Sequence, residues 1–141
     1  MRTIDAARGP LIVAGPDASL QHAARLMDHH HVDAVVVTEE GTPIGIVTER
    51  DLVVRGLAHG RSGDTPVRAV MTADPLTVDA LADAADAYHL LQQRALHRLP
   101  VVAGDRVVAI LTLDDFAVEP PAELTRLVHT TAGPKLIGRF P

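Results

Sequence analysis

At 141 residues the chain has room for one compact domain, or for two small repeats that share a core. Hydrophobic residues reach 47% and charged residues 22%, enough to fold unaided, but aromatics are only 2%, so the core must be built from Val, Leu, Ile and Ala. A formal charge of −5 with few aromatics excludes the basic face and stacking platforms of nucleic-acid binding, and zero cysteines exclude disulfides, thiolate metal sites and a Cys nucleophile.

The opening MRTIDAARGP has no apolar run of signal-peptide length, and no later stretch is long enough to span a bilayer, so a cytoplasmic protein is expected. LIVAG (11–15) predicts a short strand. After Pro16-Asp17, residues Leu20, Ala23, Ala24, Met27 and His31 recur at helical spacing and predict a helix with that stripe facing a core. DAVVVT (33–38) and PIGIV (43–47) are β-branched or apolar and predict a hairpin turning at EEGT. A helix then starts at Thr48 and runs on through ERDLVVRGLA to a polar, Gly-containing stretch, HGRSGDTP (59–66).

The same order returns. PLTV (75–78) predicts a strand, and Leu81, Ala84, Ala85, Tyr88 and Leu91 predict the core stripe of an Ala-rich helix. RLPVVA (98–103) and VVAIL (107–111) predict a second hairpin about GDR, and a helix starts at Thr112. Pro120-Pro121 stops it, because proline lacks the amide that a helix interior requires, and AELTRLVHTT (122–131) restarts with Leu124, Leu127 and Val128 on one side. Thr48 and Thr112, Asp51 and Asp115, Ile46 and Ile110, Val37 and Val101, Leu26 and Leu90, and Ala23 and Ala87 are each 64 positions apart, with no gap between about residues 12 and 52. The expected fold is α+β: two β-α-β-β-α repeats, each sheet covered by helices on one face and by the other repeat on the second.

The repeated junction, GIVTERDL (45–52) and AILTLDDF (109–116), has two compatible readings. As a capping box, the Thr hydroxyl accepts from the Asp amide and the Asp carboxylate reaches back. As a ligand site, the helix start attracts an anion, the Thr hydroxyl donates to a phosphate, and the Asp accepts from ribose hydroxyls. Of the histidines, His22, His29, His30 and His31 have no pair at i, i+4 spacing and read as a solvated helix end rather than a chelate. His89 reads as a surface or cleft polar residue, and Glu39, Glu40, Asp83 and Asp86 as solvated faces. No Gly-rich phosphate loop, serine elbow or H-E-x-x-H pattern appears, and no enzyme is expected.

The paired junctions, each behind a hydrophobic hairpin, together with VRAVMTADPLTV (67–78) and HRLPVV (97–102), resemble a tandem cystathionine-β-synthase (CBS) domain pair, a Bateman module, over about residues 10 to 118. The resemblance implies an N-terminal segment (1–10), repeats at 11–58 and 68–118 joined by a linker (59–67), and a C-terminal extension (119–141). It also implies a regulatory, pseudo-twofold binding module with two clefts for AMP, ADP, ATP or another adenosyl ligand such as S-adenosylmethionine. No metal is required, two pairs form a homodimer, and ligand binding shifts its conformation toward a protein target. Carried over by position, the first cleft would use Thr48 and Asp51, with Arg50 at the phosphate and Val13, Asp33, Ala34 and Val35 around the base. The second would use Thr112 and Asp115 with Thr77, Arg98, Leu99, Pro100 and Val101; His97 could touch a phosphate, and Arg68 could reach one across the interface. The copies differ where Val13 stands against Thr77, Val36 against Pro100, Gly45 against Ala109 and Arg50 against Asp114. The two clefts are therefore expected to bind differently, with the first favouring a polyphosphate. The alternative is a ligand-free interaction or scaffold dimer with vestigial clefts, docking a partner through the residues after Glu119.

Overall fold

The computed structural model describes residues 1–118, with side chains through Phe116; the helix expected at 122–131 lies outside the described residues. In chain order the elements are α1 (Thr3–Ala6), β1 (Val13–Ala14), α2 (Leu20–His30), β2 (Ala34–Glu39), β3 (Thr42–Thr48), a π-helical segment (Asp51–Gly56) continued by a 3-10 turn (Leu57–His59), a further 3-10 turn (Val67–Ala69), β4 (Thr72–Ala73), β5 (Val78–Asp79), α3 (Ala84–Gln93), β6 (Arg98–Ala103), β7 (Arg106–Thr112) and α4 (Leu113–Val118). The expected β-α-β-β-α order therefore occurs twice. One sheet has the order β1-β2-β3-β4 and the other β5-β6-β7.

The two hairpins are built to one plan. Ala34 lies opposite Thr48 and Arg98 opposite Thr112, and the ladders shift register between Val37 and Thr38 and between Val101 and Val102. In the first, the two-residue loop Glu40-Gly41 has positive φ at both positions, as a type I′ turn requires. Strand alternation then sorts the side chains into three cores. Val35, Val37 and Val47 turn toward α2 and meet Leu20, Ala23 and Met27. Leu99, Val101 and Leu111 turn toward α3 and meet Ala84, Ala87, Tyr88, Leu91 and Phe116, with Tyr88 and Phe116 edge to face at 4.8 Å. Ala34, Val36, Val107 and Ile110 face the opposite way and form a small core between the repeats.

Two details of the helices differ from the sequence expectation. On α2 the buried residues are Leu20, Ala23 and Met27, whereas Ala24 and His31 are exposed; His31 closes the helix in the left-handed region, φ 55, its amide donating to Met27 O. On α3, Leu81 lies before the helix and is 67% exposed. Its amide is taken by Asp79 Oδ1 at 2.9 Å, a turn that delays the helix until Asp83 can cap it. Asp83, expected on a solvated face, accepts from the Ala85 amide at 3.0 Å as the N-cap. Ser19 does the same for α2 through the His22 amide.

The segment ahead of each repeat docks on the other repeat. Thr3 and Ile4 donate their amides to Ala82 O (2.8 Å) and Ala80 O (3.0 Å), and the Ala84 amide donates to Met1 O (2.8 Å). Val67 and Arg68 donate to Ala18 O (2.8 Å) and Pro16 O (3.2 Å), and the Leu20 amide donates to Thr65 O (2.9 Å). These bonds correspond pairwise at the register of 64. Ala6 thus joins the second repeat's core, and Val67 and Val70 join the first. Thr3 is fully buried, with its hydroxyl donating to Ala82 O at 2.9 Å. Among the described residues no helix is long and apolar enough to cross a membrane.

Candidate functional site

The first junction forms the whole capping box that its spacing predicts, whereas the second keeps only the carboxylate reaching back to the Thr amide. In the first, the Thr48 amide donates to Asp51 Oδ2 (2.9 Å), the Thr48 hydroxyl donates to the same oxygen (3.1 Å), and the Asp51 amide donates to Thr48 Oγ1 (3.2 Å). The Arg55 guanidinium stands 4.0 Å from Asp51 Oδ1 and donates to the Val70 and Met71 carbonyls. In the second, the Thr112 amide donates to Asp115 Oδ2 (2.8 Å), and the other oxygen, Oδ1, accepts from the backbone amide of Arg8 (3.2 Å). Asp115 is only 8% exposed. No described group bonds the Thr112 hydroxyl, so this hydroxyl, unlike that of Thr48, is uncommitted.

A cavity of about 1030 Å³ lies between the repeats beside this second junction. The first repeat contributes the last turns of α2 (Met27, Asp28, His31), the start of β2 (Asp33, Ala34) and the segment after Thr48 (Glu49, Leu52, Val53). The second contributes Arg98, Ile110, Thr112, Asp114 and Asp115, and the Gly9-Pro10 strap crosses one side. Arg98 and Asp33 join the repeats through paired hydrogen bonds, Arg98 Nε to Asp33 Oδ1 at 2.9 Å and Nη2 to Oδ2. The arrangement offers an apolar floor (Ala34, Ile110, Met27), a free hydroxyl, and carboxylates at the rim, which suits a flat heterocycle bearing polar substituents.

Five of the expected site residues meet here: Asp33, Ala34, Arg98, Thr112 and Asp115. They come from both expected sets, so one wall belongs to the first repeat and the Thr–Asp junction to the second. The others do not line this cavity. Val13 is half-exposed on β1, Val35 sits in the first repeat's core, and Leu99 and Val101 sit in the second's. Pro100 is buried on β6 opposite Ile110. Thr48 and Asp51 serve their own junction, and Arg50, Thr77 and His97 are exposed. Arg68 pairs with Asp17 at the surface. Strand parity accounts for Leu99 and Val101, which point away from Pro100 into the second repeat's core. The α2 and Gly9-Pro10 contributions were missed, because nothing in their residue types signals a wall. Among the described residues no three His, Asp or Glu side chains converge as a metal site.

The comparisons agree with this architecture. The CBS domain profile matches residues 3–56 and 67–120. The CBS domain-containing protein YhcV of Bacillus subtilis is 39% identical over 103 residues, covering 73% of this chain and 74% of that protein. The crystal structure of Hypoxic Response Protein I with two coordinated zinc ions superposes with a TM-score of 0.77 at 26% identity, over 86% of this chain and 100% of that one. CBS domain protein PAE2072 of Pyrobaculum aerophilum, solved in complex with AMP, superposes with a TM-score of 0.79 over 92% of this chain and 99% of that one, at 22% identity, a likeness of fold. With two profile matches in one register and a relative at this identity, the chain belongs to the CBS-domain family and carries its domains as a pair.

Proposed function

We propose that this protein is a regulatory CBS pair, not a catalyst, that binds an adenosine-containing ligand in the cavity between its repeats. The observation that carries the reading is the uncommitted Thr112 hydroxyl beside Asp115 on the wall of a cavity large enough for a nucleotide. The AMP held by PAE2072 makes AMP the first ligand to test, with ADP, ATP and S-adenosylmethionine as the other candidates. Adenine lies against Ala34 and Ile110, ribose is met by Asp115, and Thr112 donates to the substituent beyond it. Because both repeats line the cavity, a ligand that prefers one relative orientation shifts the population toward it, and that shift is what a partner reads. Val53, Val54 and Leu57, exposed on the segment after Asp51, support association as a homodimer, although Val53 and Leu57 also line the cavity. Zinc, which Hypoxic Response Protein I coordinates, is not needed by this mechanism.

Isothermal titration of the wild type and of Thr112→Val with AMP, ATP and S-adenosylmethionine tests the proposal. Saturable binding is expected, weakened about tenfold in the variant by the loss of one hydrogen bond. Absence of binding by all three ligands would overturn it. A second reading, an interaction dimer with vestigial clefts, has a specific observation in its favour. Both Asp115 oxygens already accept backbone amides, and Arg98 is already bound to Asp33. That reading requires a dimer in sedimentation and no heat of binding in the titration.

A further inference from the structure

The charge on the cavity wall chooses among adenosyl ligands, an inference that rests on the adenosine-binding reading. Among the described residues, five carboxylates (Asp28, Asp33, Glu49, Asp114 and Asp115) share the wall with one guanidinium, Arg98, and one imidazole, His31. Arg98 already gives Nε and one Nη2 hydrogen to Asp33 across the repeats, so its charge is largely matched, although Nη1 remains as a donor. The junction offers little compensation, since the Thr112 amide that could meet an anion is taken by Asp115 Oδ2. Asp114 stands at the position where the first repeat carries Arg50, so the copy whose hydroxyl is free has exchanged a cation for an anion. A phosphate monoester carries about −1.5 to −2 near neutral pH, and a triphosphate more, into an open cleft whose described lining holds more carboxylates than cations.

We infer that the cavity takes an adenosine-containing ligand with no net negative charge, a cationic one ahead of a neutral one. Asp33 and Asp114 set this preference, Asp33 by offsetting the charge of Arg98 and Asp114 by repelling phosphate directly. Both side chains are exposed and lie outside the three cores, so their amide variants keep the fold.

The test is calorimetric titration of the full chain, without divalent cation, with adenosine, AMP, ATP and S-adenosylmethionine. In the wild type, adenosine should bind about tenfold tighter than AMP, ATP should be weaker still, and S-adenosylmethionine should bind at least as tightly as adenosine, with the gaps narrowing as salt is raised. In the double variant Asp33→Asn with Asp114→Asn, the ratio of AMP affinity to adenosine affinity should rise about fivefold or more. AMP or ATP binding ahead of adenosine in the wild type, or an unchanged ratio of AMP to adenosine affinity in the double variant, overturns the charge inference and leaves the adenosine reading standing. Failure of all four ligands overturns the adenosine reading and this inference with it.

Discussion

Asp51 and Asp115 stand 64 positions apart and accept from different donors, Asp51 from the amide and hydroxyl of Thr48, Asp115 from the amides of Thr112 and Arg8. Their removal should therefore cost different amounts. Asp51→Ala loses a helix cap and should destabilise by about 1 kcal/mol. Asp115→Ala leaves two backbone amides without their acceptor at a nearly buried position and should cost about 2–4 kcal/mol, with equilibrium urea unfolding as the measurement. Equal losses would mean that the Arg8 contact contributes nothing. The cap itself was legible from Thr-x-x-Asp spacing, because it is a local bond between residues three apart. The Arg8 amide was not, since it arrives from 107 residues away. The Gly45–Ala109 difference also becomes intelligible: a Cβ at Gly45 would stand 3.1 Å from Thr72 O and collide with Met71, where β4 pairs with β3.

At the scale of elements, hydrophobic periodicity located both hairpins and both long helices, because burial of one face is written directly into residue spacing. It failed at the end of α2, where His31 turns left-handed, and at the start of α3, where Asp79 and Asp83 choose the start through side-chain bonds that outweigh a well-spaced leucine. It also missed the exchange of leading segments. Residues 1–10 and 65–74 share no identical pair at the register of 64, and their pairing is carried by backbone atoms, which no side-chain pattern records. Deleting residues 2–7 removes Ala6 and the buried Thr3 from the second repeat. The deletion should therefore lower protection of the Leu99 and Leu111 amides far more than that of Val35 and Val47 in native-state hydrogen exchange, by about 2–4 kcal/mol of local opening free energy. Uniform loss across both repeats would refute the exchange.

For the whole molecule, the direct contact between the two sheets is slight beside what each repeat buries alone. Ala34, Val36, Val107 and Ile110 form the shared core, supplemented by the Val107 amide on Gly41 O at 3.0 Å and by the Arg98–Asp33 pair. Val36→Ala should cost about 2 kcal/mol by thermal or urea unfolding, and the loss should fall on the contact between the repeats rather than on either helix face. In a double-mutant cycle, Arg98 and Asp33 should couple by less than about 1 kcal/mol, since the Asp33 side chain remains 56% exposed. The pairing of repeats was legible from the register; the assembly of one site from both was not, because it depends on which face of β2 and β7 meets the other sheet. The exchanged leaders give this slight joint a second kind of strength. Each half of the chain holds an end of the other, so assembly is expected to survive the loss of covalent continuity through the polar stretch at 59–64. A protease cut there, near Gly60, should leave two pieces that migrate together under native conditions and part only in denaturant, each too incomplete to fold without its counterpart.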